Sequence, residues 1–418
     1  MKRGVSVLII LCIIISLSAC QGKGSTIDEK AYEETIIRII SPYTQSNSDA
    51  LTASFCEAIK QAQTKFPQYT IIHNAINTET YKDKIKINMA ANEPMDIFFS
   101  WTEGFLEPFV NKQLVLKLDD YIVDMDAPFE DERFSKFEMD GNIYGIGMGY
   151  WYGVLYCNTE LFSEYGLELP KTWEELVEAC LVFNKNEIEP FACGLRDIWP
   201  GHLLVCQLML QMMGAEAYHD MAKGEIPYDY NTMEIVGDYV LELVKAGAFS
   251  KGSFNKGNDD AALEFFSGKA AMFFNGSCHS KSAQAEAVRG KIVAVSFPIV
   301  KECRYPTDYI GKYSTGLCVA SSTPHPKEAA EVALFIAEQA AINQGSLTMW
   351  EMPDNAQRLN EVEQEIAAIA EKGTGWGNNY DVVLPSRKGT EFLNAVIKLY
   401  KQESDGKIFA SEAAKIFK

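Results

Sequence analysis

GNIYGIGMGYWYGVLYCNTEL, residues Gly141–Leu161, places three aromatics in a row, Tyr150, Trp151 and Tyr152, between Gly149 and Gly153. The apolar run that follows, Val154 to Cys157, has the length of a buried strand. A polar turn from Asn158 to Glu160 then opens a helical segment. Glycine on both sides lets the backbone pass close to another group or bend as a hinge. Two readings of the aromatics stand: a wall for a ligand, or a core strand with three packed rings. Elements read before and after this stretch make it the junction of two lobes.

Upstream, Thr35 to Ile40 (TIIRII) is a β-branched run that predicts a strand. Ser48 to Lys65 carries Leu51, Phe55, Ala58, Ile59 and Ala62 on one helical face. Tyr69 to Ile76 predicts a second strand, Thr80 to Ala91 a helix, Met95 to Trp101 a third strand and Gly104 to Asn111 a third helix. This alternation predicts α/β architecture with a parallel sheet. Ligands of such sheets sit beyond the carboxyl ends of the strands. Trp101, a flat apolar face, and Glu103, an acceptor for hydroxyls, therefore fall at the ligand edge; the other reading of Trp101 is an aromatic capping the sheet. Asp119 to Arg133 is strongly acidic, but VDMDAPFEDE lacks the glycine and spacing of a calcium loop and reads as a solvated loop.

Downstream, Thr172 and Glu175 form a capping-box pattern at the start of a helix, with Trp173 as packing. Pro190 to Leu195 predicts a strand. It is followed by Asp197 and Trp199 on the loop before a long apolar helix, His202 to Met213. Met272 to Phe274 predicts a buried strand with Asn275 at its end. Ser314 to Ala320 predicts a return strand, and Ser321 to Gln339 a turn and helix. Gly373 to Val383 (GTGWGNNYDVV) is a glycine-rich turn around Trp376.

The chain begins MKRGVSVLIILCIIISLSAC: two basic residues, an apolar run from Val5 to Leu17, and small residues before Cys20. The apolar run is short for a bilayer span. The pattern resembles the leader of bacterial lipoproteins, in which the cysteine is lipidated and becomes the first mature residue; the plainer reading is an ordinary signal peptide. Two acyl chains on Cys20 anchor a protein stably where one does not. Gln21 to Glu34 is polar, with glycine and serine, and reads as a tether of roughly 20 Å reach. Formal charge is −19, which repels nucleic acid and anionic surfaces. The ten cysteines form no CxxC pair and lie mostly in apolar segments, which predicts several free thiols. The five histidines show no metal-ligand spacing.

No GxSxG elbow, P-loop or dinucleotide glycine pattern occurs. The S-x-x-K at Ser253–Lys256 lacks its companion motifs and sits among turn residues. A carboxylate pair for glycoside hydrolysis is set in space and leaves no sequence mark.

PMDIFFSWTEGFLEPFVNKQLVLKLDDYI, YCNTELFSEYGLELPKTWEELVEAC, FFSGKAAMFFNG and PHPKEAAEVALFIAE, together with the leader, occur in one order along most of the chain. In that order they resemble the family 1 extracellular solute-binding proteins of ABC importers, the group containing maltodextrin-binding proteins. The resemblance implies a two-lobed periplasmic-binding-protein-like fold (type II), with the ligand cleft between lobes joined by hinge crossings. It implies a first lobe from residues 35–153 and 306–345 and a second from 154–305 and 346–418, after a leader (1–19) and a lipidated cysteine with tether (20–34). It further implies a non-catalytic sugar receptor without cofactor, lipid-anchored through Cys20 on the outer face of the membrane, handing its ligand to permease subunits; a hinge that must open and close leads us to expect a monomer. The resemblance places Trp101 and Glu103 on the first lobe and Asn275 at the cleft end of a second-lobe strand; position in the chain, not motif, adds Tyr150, Trp151, Asp197, Trp199 and Trp376 as expected ligand-binding residues. Family members often carry an aromatic after the NG dipeptide; here Cys278 stands near it. The other classes in view are an exported glycoside-active enzyme, a receptor for a peptide or polyamine, and a polymer-binding adhesin.

Overall fold

The computed structural model describes residues 35–44, 50–122, 132–345, 347–350, 352 and 359–417. The leader, Cys20 and the tether lie outside the described residues, as does most of the acidic stretch after Asp119.

Eleven strands are formed by the described residues: β1 (Thr35–Ser41), β2 (Tyr69–Ala75), β3 (Ile97–Trp101), β4 (Glu138–Met139), β5 (Asn142–Ile143), β6 (Ile146–Asn158), β7 (Glu189–Phe191), β8 (Ala270–Gly276), β9 (Ile292–Val295), β10 (Asp308–Val319) and β11 (Gly375–Gly377). The α-helices are α1 (Ala50–Lys65), α2 (Thr78–Ala91), α3 (Glu107–Asn111), α4 (Asp119–Ile122), α5 (Glu132–Ser135), α6 (Thr159–Glu164), α7 (Trp173–Lys185), α8 (Trp199–Met213), α9 (Ala215–Lys223), α10 (Tyr230–Lys245), α11 (Asn258–Phe266), α12 (Pro326–Gln344), α13 (Glu361–Lys372), α14 (Tyr380–Val383), α15 (Ser386–Tyr400) and α16 (Gly406–Ile416).

Strand order across the main sheet is β2-β1-β3-β10-β6-β8-β7, with β11 beside β10 and β9 beside β6. The sheet is mixed, not parallel throughout. Pairing is parallel at the two ends, β2-β1-β3 and β8-β7, where helices make the crossovers. It is antiparallel at the centre, β3-β10-β6-β8. The cause is β10, which returns from late in the chain and runs against β3. A local strand–helix alternation carries no sign of which way the returning Ser314–Ala320 run pairs.

Two long strands run through the centre. The amino-terminal part of β6 pairs with β10, and its carboxyl-terminal part pairs with β8 and β9. The aromatic triplet is thus part of one 13-residue strand rather than a loop before a short one. Its glycines lower strand propensity, but ladders on both sides override that.

Apolar side chains gather in separate groups on either side of this centre. One group joins β1, β3, α1, α2 and α12 around Ile37, Phe55, Phe98 and Ile336. A second joins α7, α8, α10, α15 and α16 around Phe183, Leu208, Val240 and Phe392. A third, around Tyr156, Phe265, Phe273 and Ile366, lies under α11 and α13.

Local signals were strong at several helix ends. Thr172 Oγ1 accepts from the Glu175 amide while the Glu175 carboxylate accepts from the Thr172 amide, the reciprocal cap that fixes the first turn of α7. Trp173 is a packing residue, 2 % exposed, its indole N–H donating to Glu242 at 2.7 Å. Helix α8 begins three residues earlier than expected, at Trp199, because Pro200 is tolerated in a first turn where its missing N–H has no intrahelical partner.

Candidate functional site

A cleft enclosing about 1120 Å³, part of it open to solvent, lies at the carboxyl edge of β3 and β8 and is lined there and by the middle of β6. Three indoles reach it from separate parts of the chain. Trp101 ends β3, half-buried, held by edge-to-face contacts with Phe99 and Phe105, both at 4.8 Å. The Lys82 ammonium lies over its ring at 5.5 Å. Trp151 comes from β6 and lies against Gly276, where an added Cβ would meet the indole Nε1 at 1.8 Å. Trp199 opens α8 directly after Ile198, whose φ of +62° is rare for a β-branched residue. Tyr150 joins them from β6, its hydroxyl donating to the Glu132 carboxylate.

The polar part of the lining centres on the segment after β11. Asn378 Nδ2, Asn379 Oδ1 and Asp381 Oδ1 are buried and have no hydrogen-bond partner among the described residues. Burying such groups without a partner costs about 1–3 kcal/mol each; Asp381 Oδ1 faces His202 Nδ1 in the core at 3.7 Å, and the two asparagine atoms point to a partner the protein binds. The other Asp381 oxygen accepts from Lys82 Nζ at 2.9 Å, and Glu79 takes a second Lys82 proton at 3.3 Å. Burial works against the Lys82 charge, but Asp381 and Glu79 more than offset it and hold its pKa above the ordinary lysine range. Burial likewise opposes ionisation of Asp381, and Lys82 with His202 overcomes it, holding that pKa below the usual carboxylate value.

Five residues singled out in the sequence line this cleft: Trp101, Tyr150, Trp151, Trp199 and Asn275. Asn275 is 1 % exposed and works through a neighbour, donating to Asn258 Oδ1 at 2.8 Å. The other three stand elsewhere. Glu103 begins a 3-10 turn at φ +57° and does not line the cleft. Asp197 accepts from the Asn258 amide at 2.7 Å and faces an adjoining chamber. Trp376 packs edge-on against Tyr152 at 5.1 Å. Sequence reasoning missed Lys82, Asn378, Asn379 and Asp381. The available signal was Asn-Asn-Tyr-Asp, polar residues directly after a Trp bracketed by glycines, in a segment read only for its indole.

Such a site presents flat apolar faces beside fixed donors and acceptors. The imidazole–thiol contact of His202 and Cys206, 3.1 Å, is sealed in the core behind the Asp381 wall of the cleft. Burial pushes the Cys206 thiol up to about 12, so it supplies no thiolate near neutral pH. No group of metal-ligating side chains occurs among the described residues, and no helix among them is long and apolar enough to cross a membrane.

The fold and cleft define a binding protein of the two-lobed periplasmic class. The chain belongs to the bacterial extracellular solute-binding proteins: that family's model matches residues 46–341. It is 24 % identical over 362 residues to an uncharacterized ABC transporter extracellular-binding protein of Pyrococcus horikoshii, covering 81 % of this chain and 80 % of that protein. Among solved structures it is similar to a protein from work on xylan utilization by Caldanaerobius polysaccharolyticus. There the TM-score is 0.84 at 28 % identity, over 91 % of this chain and 99 % of the other. A chitin oligosaccharide binding protein shares the fold at TM-score 0.80 and 19 % identity, over 92 % and 98 % of the two chains.

Proposed function

We propose that this protein is a non-catalytic sugar receptor that captures a saccharide in the cleft and delivers it to the permease of an ABC importer. The observation that carries the reading is the convergence of Trp101, Trp151 and Trp199 on the unpartnered polar atoms of Asn378 and Asn379, beside the Lys82–Asp381 pair. A sugar ring offers a weakly apolar face and a rim of hydroxyls, and this lining answers both. That a protein of the same fold is a chitin oligosaccharide binding protein supports the same ligand class. The cleft then separates a lobe of residues 35–153 and 306–345 from one of residues 154–305 and 346–418, with Tyr150 and Trp151 at the crossing. The protein acts as a monomer without cofactor, held to the outer face of the membrane by acyl chains on Cys20.

A thermal-shift screen over mono- and oligosaccharides tests the ligand class. A ligand at a hundred times its Kd adds about 2.7 kcal/mol of stability. Chromatography of the same mixtures must return the sugars intact; turnover of any of them overturns the receptor reading. Cys20→Ala should release the protein to the medium or leave it unprocessed, and a membrane-bound variant of mature mass would refute the anchor.

A further inference from the structure

A second chamber of about 710 Å³, part of it open to solvent, adjoins the cleft. The two share a wall made of Lys82 and Asp381. The turn before α8 divides its side chains between them: Asp197 and Ile198 face the second chamber, Trp199 the first. Ile198 holds φ +62° and ψ −47° at that divide, a conformation a β-branched residue adopts only under constraint. One side of the chamber is the α2 face carrying Glu79, Lys82, Asp83 and Lys86; the other is the α15 face carrying Thr390 and Asn394. Helical spacing aligns each set.

Charges in this chamber are paired within the protein. Lys82 holds Asp381 and Glu79, Lys86 lies 3.8 Å from Asp83, and Asp197 lies 3.4 Å from Arg196. Four carboxylates and two ammonium groups line it, so an anionic group entering would meet net negative charge. Donors and acceptors held in place by these pairings instead suit uncharged hydroxyls. Two of the three Lys82 N–H donors are committed, leaving one at the shared wall. Asp381 Oδ2 forms the wall with Lys82, while Oδ1 turns to His202 in the core.

We propose that the second chamber is a further subsite for the same ligand, so that the protein takes a neutral oligosaccharide that runs from the three indoles across the Lys82–Asp381 pair into this chamber. The inference rests on the sugar-receptor reading above. A monosaccharide fills only the first chamber; the adjoining ring of a longer chain contacts α2 and α15.

Calorimetric titration of the purified protein with xylose to xylopentaose, glucose to maltopentaose and N-acetylglucosamine to chitopentaose tests it. In the series that binds, affinity should rise by about tenfold at one added unit. Thr390→Trp, which fills the second chamber from an exposed helix position, should remove that step and leave the Kd of the shorter member within about twofold. Asn394→Trp should do the same, and serves if Thr390→Trp lowers the apo Tm. A glucuronate-substituted chain of the same length should bind more weakly than the neutral one. Equal affinity along a series that binds, or loss of all members alike in both variants, overturns the subsite alone. Failure of every sugar to bind the unaltered protein overturns the receptor reading and the subsite with it.

Discussion

His202 is buried in the core beside the cleft, its Nδ1 3.7 Å from Asp381 Oδ1. Burial drives its pKa down to about 4, with Asp381 opposing and Lys82 assisting. The unfolded chain takes up this proton near pH 6.5, while the folded protein refuses it until about pH 4. Stability therefore falls as pH drops through that window, by roughly 3 kcal/mol in all, and the histidine adds no further slope below it. His202→Gln should flatten the Tm profile between pH 6.5 and 4; an unchanged slope would show that other groups set the acid limb. Trp199 tests the site itself. Its half-exposed indole predicts that Trp199→Ala weakens sugar binding roughly thirty-fold with a small change in apo Tm. A large loss of apo Tm with unaltered affinity per folded molecule would assign the ring to the core. Trp101 and Trp199 were legible because each follows a strand at the carboxyl edge of an α/β sheet. Lys82 was not: on α2 it reads as one more solvated helix position, and only the fold brings Asp381 to it from the far end of the chain.

Among elements, β6 and β8 show why glycine sits at the centre of the sheet. Gly153 and Gly276 are register partners, and Gly276 carries no Cβ where the Trp151 indole lies. Gly276→Ala should force that ring out of place, costing about 1–3 kcal/mol as an overpacked site and weakening ligand binding with it. Tryptophan fluorescence and a chemical melt on the same variant would check both; a ring that stays put at full stability would contradict the geometry. Elements with local signals were legible. The Thr172–Glu175 cap formed as read. The length of β6 and the antiparallel centre were not, because both depend on pairing with β10, which lies far along the chain.

For the whole molecule, closure around ligand is the expected motion. The β6–β10 ladder shifts register between Gly311 and Tyr313 and again between Thr315 and Gly316, irregularities that let a ladder twist. Ligand favours a closed state only through contacts on both sides of the cleft. Small-angle scattering should give a smaller radius of gyration with saturating sugar than without; an equal radius would argue for a rigid cleft. The two-lobed plan came from resemblance across several segments, since periodicity within a segment says nothing about which distant segments share a lobe.

The pairing of β3 with β10 also sets a clock on synthesis. Trp101 is opposite Thr315, so one edge of the first sheet waits for roughly two hundred residues, on the order of ten to forty seconds at ordinary translation rates. Until then β3 has no neighbour on that side, and an open strand edge invites pairing with other chains. A nascent chain built this way gains little by folding early. Its central sheet cannot close until about three quarters of the chain has been made, and a chain whose sheet is still open is easier to thread through a narrow pore.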